Sequence, residues 1–314
     1  MKKLLFIILS LFIITGCNKT NIKEKYKEDV INEEEEKESY DPYKTENKYN
    51  LDSALFKKIS GTKYGKVETI TYYSKTAKDD KKANILFPPN YDENSKYPIL
   101  YFIHGWGAKY SSHVNNNSYL YYLYGNMLNN DLTKPMIIVG VDMYTDKLAD
   151  KNKKTDEELR FIYDKVIDDI ALDLMPYIEQ KYNYKHERLN TAIAGVSQGG
   201  SESLATGFKY LDKFGYIASI APDTGVIPTE WFKGTYWNVP IFEEFPMPTK
   251  DNMPKYIYMS VGSKDPWNIE CTKYYGEVLT KMGIKNQTDY VEGFGHDSKF
   301  WGVSMYNFFN KIFR

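Results

Sequence analysis

The chain has 314 residues, 42% of them hydrophobic and 26% charged, with 41 Lys and Arg against 42 Asp and Glu. That length holds one large α/β domain or two small ones, and near-neutrality gives no electrostatic footprint for nucleic acid, so none is expected as a partner. Two cysteines exclude a disulfide scaffold or a zinc ribbon, and none of the four histidines stands in an H-E-x-x-H or H-x-E pattern, so no metal site is expected.

Lys2 and Lys3 precede an apolar run from Leu4 to Ile14, interrupted by Ser10. A comfortable membrane span needs about 20 residues, so the run is too short for one. A basic start, a short apolar stretch and a small residue make up the layout of a secretory signal. The run closes with Ile14-Thr15-Gly16-Cys17. This resembles a bacterial lipobox, whose cysteine receives the lipid and becomes the first mature residue. The expectation is a signal peptide over 1–16, lipid attachment at Cys17 and a polar tether over 17–60. The tether contains Glu33-Glu34-Glu35-Glu36 and has almost no apolar periodicity. It would hold a catalytic body, 61–314, on the extracellular face of the membrane.

The body reads as alternating strands and helices. Lys66–Ser74 and Lys82–Phe87 predict two antiparallel strands, the second stopped by Pro88-Pro89-Asn90. Tyr97–Ile103 and Met136–Met143 are short, largely apolar runs that read as buried strands, and Ser118–Asn129 between them has a helical pattern. Residues 144–160 are rich in Lys and Asp and read as a surface loop. Ile162, Val166, Ile170, Leu174 and Ile178 fall at i+4 spacing and predict one helix over 161–182, kinked or divided at Pro176. Leu189–Val196 is a strand that runs into a glycine-flanked turn and a helix ending near Leu211. Phe214–Ala221, Tyr256–Gly262 and Gln287–Gly293 add strands; Trp267–Met282 and Ser298–Ile312 add helices. Continuous apolar strands alternating with helices imply a mainly parallel sheet with helices on both faces. Residues 222–254 hold six prolines with Trp231 and Trp237, a long insertion that reads equally as one wall of a cleft or as a surface excursion. Cys271 falls in a predicted helix with no His near it in sequence, and reads as a packed residue.

Gly195-Val196-Ser197-Gln198-Gly199-Gly200 fits G-x-S-x-G and lies between an apolar strand and a helix. A nucleophile on so sharp a turn needs small neighbours, and the following helix aims its first N–H groups at a developing oxyanion. Ser197 is therefore the expected nucleophile. Its hydroxyl needs a base. His296, in Gly293-Phe294-Gly295-His296-Asp297 after the last strand, is the candidate; His113 and His186 lie in connectors, and His104 belongs to a glycine-bearing loop. The base needs an acid to hold its tautomer. Asp265 follows the strand YIYMSVG and gives the order Ser…Asp…His; Asp223 and Asp142, also near strand ends, are its rivals. The oxyanion hole is expected from the N–H of Gln198 and one from His104-Gly105-Trp106-Gly107, with Trp106 favoured and Gly105 or Gly107 as alternatives. Trp106 and Trp267, each beside a catalytic loop, are expected to touch substrate, ahead of Tyr119, Tyr121, Tyr122 and Tyr124.

YPILYFIHGWG, LMPYIEQKYN, AIAGVSQGG, VGSKD and GFGHDSKFW occur in that order over roughly residues 65–314. Together they resemble the esterase family that holds feruloyl esterases, acetylxylan esterases, S-formylglutathione hydrolases and mycolyltransferase-like proteins. The likeness extends to the feruloyl esterase domains of carbohydrate esterase family one that are attached to clostridial xylanases. The resemblance implies an α/β-hydrolase fold, no metal or organic cofactor, and a nucleophile, acid and base at Ser197, Asp265 and His296. It implies a feruloyl or acetyl ester on plant polysaccharide as the substrate. Two departures stand out: Trp106-Gly107-Ala108 replaces a more glycine-rich loop, and Gln198 replaces a common Met. An esterase or acyltransferase on another small ester is the alternative among enzymes; from another class, a binding lipoprotein on a retired hydrolase scaffold is the alternative, and a complete triad argues against it.

Overall fold

In the computed structural model, which describes residues 40–182 and 184–314, the apolar runs become strands of one eight-stranded sheet. They are β1 Val67–Ser74, β2 Asp79–Leu86, β3 Ile99–Ile103, β4 Ile137–Val141, β5 Thr191–Val196, β6 Tyr216–Ile220, β7 Tyr256–Gly262 and β8 Gln287–Val291. The spatial order is β1-β2-β4-β3-β5-β6-β7-β8. β1 pairs antiparallel with β2 and β2 antiparallel with β4; every later pairing is parallel. The central strands β3 to β7 are buried along their whole length, which is why they read as unbroken apolar runs, whereas β1 alternates at the edge.

Two core layers cover the sheet. On one face, Ile99, Tyr101 and Ile103 of β3 pack with the helices of 156–182 and with α5 (Gln198–Lys209) and α6 (Ile269–Lys281). On the other, Leu100 and Phe102 pack with α1 (Tyr119–Asn129) and α7 (Ser298–Lys311). This alternation is the period-two pleat of a strand sandwiched between helices. Cys271 is buried in α6, and burial pushes its thiol up to about 12, as expected of a packed cysteine.

The structure revises three expectations. The 161–182 helix begins earlier, as α2 (Asp156–Asp164), because Thr155 and Glu158 form a reciprocal capping box. After Lys165 it resumes as α3 (Val166–Asp169), a π-turn over Ile170–Leu174, and α4 (Met175–Tyr182). The wider turn accommodates Pro176, whose ring and missing N–H an unbroken α-helix would not tolerate. Ile162, Val166, Ile170, Leu174 and Ile178 are nonetheless all buried on one stripe. Finally, the body is one compact unit from Asp41 to Arg314, so residues 41–60 belong to it and not to a tether. Tyr43 donates to the Lys285 carbonyl at 2.8 Å and accepts from the Ile257 N–H at 2.9 Å. Asn307 of α7 exchanges two hydrogen bonds with the Lys48 backbone. The expected signal peptide, Cys17 and residues up to 39 lie outside the described residues.

Candidate active site

β5 ends at Val196 and α5 starts at Gln198, so Ser197 alone makes the turn. Its backbone takes φ 57° and ψ −130°, a region that a residue with a side chain adopts only when its surroundings force it. The flanking glycines leave the space. A Cβ on Gly195 would lie 1.9 Å from the Gly199 carbonyl oxygen, and one on Gly199 would lie 2.2 Å from that of His104. Ser197 N–H is tied to the Ile220 carbonyl at 2.9 Å, which fixes the turn against β6.

Three side chains predicted from separate strand ends meet here. His296 Nε2 lies 3.0 Å from Ser197 Oγ, and His296 Nδ1 lies 2.6 Å from Asp265 Oδ2. The other carboxylate oxygen of Asp265 accepts the N–H groups of Trp267 and Asn268, both at 3.0 Å. Burial alone would raise the Asp265 carboxyl; the His296 bond and the two backbone donors outweigh it and hold the group below its ordinary range. Asp265 therefore stays ionised and acceptor-only on both edges. This fixes the Nδ1-protonated tautomer of His296 and leaves Nε2 free to accept the serine proton. Neither rival acid reaches His296 in this way. Asp142 lies 3.7 Å from His104, and Asp223 lines the cleft above.

The glycine-bearing loop after β3 lies against the serine: a Cβ on Gly105 would fall 3.2 Å from Ser197 Cβ. His104 anchors this loop. Its Nε2 accepts the Met143 N–H at 3.1 Å, so Nδ1 carries the proton that goes to the Gly105 carbonyl at 2.7 Å. Gln198 opens α5, where the first N–H groups have no intrahelical acceptor. Its amide side chain is buried and donates to Glu202 at 2.7 Å; Glu202 in turn lies 3.8 Å from buried Arg160. Burial pushes the Glu202 carboxyl up, opposed by Arg160 and Gln198.

Ser197 and His296 open onto a cleft of about 670 Å³ lined mainly by aromatic side chains. Trp106 packs on Trp237 and Tyr163, each at 4.9 Å between ring centroids. Trp267, 63% exposed, stands edge-to-face against His296 at 5.3 Å, and Trp301 stands edge-to-face against it at 5.7 Å. Phe232 and Trp237 bring the 222–254 insertion into the cleft, which decides its role as a wall. Among the sequence candidates, Trp106 and Trp267 line the cleft and the α1 tyrosines do not. Tyr124 is bonded to Met136 in the core and Tyr121 to the Gly65 carbonyl. His186 is held by Tyr101 and Glu179. His113 lines the cleft, but burial pushes it down to about 4, so it stays neutral. Sequence reading placed Trp237 only in a segment that could be wall or excursion, and missed Phe232 and Trp301 as lining residues. Of the two missed, Trp301 had a local signal, its place in GFGHDSKFW beside the histidine.

The family model described as "Putative esterase" matches residues 74–312. A curated endo-1,4-beta-xylanase/feruloyl esterase from Xylanibacter ruminicola is 28% identical over 247 residues, which cover 76% of this chain but 30% of that protein. The chain thus spans less than a third of that relative's length. A CE1 ferulic acid esterase from Anaeromyces mucronatus, solved without substrate and with ferulic acid, is 30% identical with a TM-score of 0.77. The match covers 86% of this chain and 98% of that one. The S-formylglutathione hydrolase of Staphylococcus aureus, at 16% identity and a TM-score of 0.53 over 78% of this chain and 97% of its own, shares the fold. With the observed strand order, these matches make the architecture an α/β-hydrolase fold.

Proposed function

The chain belongs to this esterase family and is a carboxylic ester hydrolase; from that premise we propose a feruloyl esterase that works through an acyl-enzyme on Ser197. The observation that carries the reading is the Ser197–His296–Asp265 chain of hydrogen bonds at the floor of an aromatic cleft. Ser197 Oγ attacks the ester carbonyl as His296 Nε2 takes its proton. The tetrahedral oxyanion is met by the N–H groups of Gln198 and Trp106. His296 then protonates the departing alcohol, and water, deprotonated by the same nitrogen, releases the acid. Trp106, Trp237 and Phe232 offer flat apolar surface that suits a hydroxycinnamoyl group and would be wasted on acetyl. Trp267, exposed beside His296, is placed to stack on a sugar of the leaving group. The substrate class, hydroxycinnamoyl esters of plant cell-wall polysaccharide, has its support in the names of the Xylanibacter and Anaeromyces relatives.

Methyl ferulate and para-nitrophenyl acetate separate the readings. A feruloyl esterase hydrolyses both, with the larger kcat/KM relative to the uncatalysed rate on ferulate. Acetate turnover without ferulate would move the substrate to acetylated sugars, and turnover of neither would favour the binding lipoprotein. For location, the basic start, the apolar run and Ile14-Thr15-Gly16-Cys17 support a lipid anchor at Cys17 on the outer face of the membrane. Cys17→Ser is expected to shift the protein from the membrane fraction to the soluble or unprocessed fraction; unchanged membrane association and processing would sink the anchor.

A further inference from the structure

Asp223 is the carboxylate among the residues that line the cleft, and the hydrolytic mechanism does not use it. It follows β6, at the end of the segment that closes on Ala221, and its backbone is held firmly. Its carbonyl accepts Ser201 Oγ and the Tyr275 hydroxyl, both at 3.0 Å, and the Asn268 side chain clamps the Ala221 carbonyl at 2.6 Å. One carboxylate oxygen accepts the Thr224 N–H at 2.8 Å. The other receives no hydrogen bond from the described residues and is not sealed in the core. Nor is the charge spent on an ion pair: Arg160, the nearby cation, pairs with Asp164 and Glu202.

We propose that Asp223 reads a hydroxyl group of the substrate, accepting its hydrogen bond on the free carboxylate oxygen. This rests on the esterase reading of the same cleft. A fixed acceptor in a cleft lined with Trp and Phe rewards a donor strongly, because apolar walls leave few waters to compete and the group is already oriented. A substrate without the hydroxyl leaves the carboxylate desolvated and unmatched, so selection works mainly by rejection. Burial pushes this carboxyl upward against the pull of Thr224, Arg160 and His296, and an incoming donor relieves that cost. The hydroxyl has two chemical sources, the phenol of a hydroxycinnamoyl group or an alcohol of the sugar that leaves.

The test measures equilibrium binding, without turnover, to full-length Ser197→Ala protein. The ligands are methyl ferulate, methyl 3-methoxycinnamate, which is the same ester without the phenol, and 5-O-feruloyl arabinofuranose. If the phenol is read, methyl ferulate binds roughly ten- to hundredfold tighter than its dehydroxylated analogue, and adding Asp223→Asn erases the difference. The asparagine keeps its oxygen for Thr224 N–H and turns an NH₂ toward the cleft, inverting the polarity. If the sugar is read, the two methyl esters bind alike and only the arabinose ester weakens on Asp223→Asn. Equal binding of the two methyl esters, with the arabinose ester indifferent to the substitution, overturns the proposal. If the asparagine variant folds poorly, Asp223→Ser takes its place in both the phenol and the sugar arms. Wild-type turnover of methyl ferulate tests the esterase reading separately: turnover with an indifferent Asp223 sinks this proposal alone, and hydroxyl-dependent binding without turnover sinks that one alone.

Discussion

Ser197→Ala is expected to lower kcat for methyl ferulate by about 10⁵- to 10⁶-fold while KM stays within a few-fold. The change removes the attacking oxygen and nothing else. The turn at φ 57° is imposed by contacts of Gly195, Gly199 and the Ser197 N–H, none of which involves the hydroxyl. The aromatic walls that bind the acyl group are untouched, so ground-state binding survives while the transition state loses its covalent partner. Steady-state kinetics beside a thermal melt check this. A loss confined to KM, or a residual kcat within a hundredfold of wild type, would point to another nucleophile.

Asp265→Asn is expected to cost about 10⁴-fold in kcat with the fold intact. The reason lies in the two edges of this carboxylate. One oxygen is committed to the N–H groups of Trp267 and Asn268, so an asparagine must place its carbonyl there. Its NH₂ then faces His296 Nδ1, where a carboxylate oxygen now sits at 2.6 Å. Nδ1 becomes an acceptor, the proton moves to Nε2, and the imidazole can no longer take the proton of Ser197. In the wild type, the Asp265 carboxyl is held below its ordinary value. Its contribution to the site is therefore present at pH values above the ordinary carboxylate range and is lost as pH falls through the depressed folded value. Acid inactivation of the wild type above that range must come from another group. Asp265→Glu, which keeps the charge but shifts the oxygens, should recover part of the loss. If Asp265→Asn retains more than a tenth of wild-type kcat, the acid has been misassigned.

Much of the site was readable before any geometry, because its chemistry is tied to strand ends. Gly195 and Gly199 announce the turn, Asp265 follows the apolar strand β7, and His296 follows β8, the last strand, so chain order sufficed to bring them together. The rest depends on contacts that sequence spacing does not carry. The proline-rich segment with Trp237 read equally as cleft wall or surface excursion; which it is, and that Phe232 joins it, comes from how the segment packs Trp237 on Trp106. Residues 41–60 look like tether because their anchors are isolated polar aromatics, and the partners of Tyr43 lie more than 200 positions away, in β7 and beside β8. The start of α2 was open to reading in Thr155 and Glu158, but the surrounding Lys and Asp hid it. Asp223 was visible as an acid near a strand end. That its task differs from that of Asp265 emerges only from which of them reaches His296.

The most direct test of the account is to trap the acyl-enzyme. Wild-type protein is mixed with a stoichiometric excess of para-nitrophenyl ferulate, quenched with acid during the burst, digested and mapped by mass spectrometry. The account predicts one feruloyl group per chain, esterified to the hydroxyl of Ser197, and none in the Ser197→Ala protein. A feruloyl adduct on a different residue, or steady turnover with no adduct on Ser197 at any time, would contradict it.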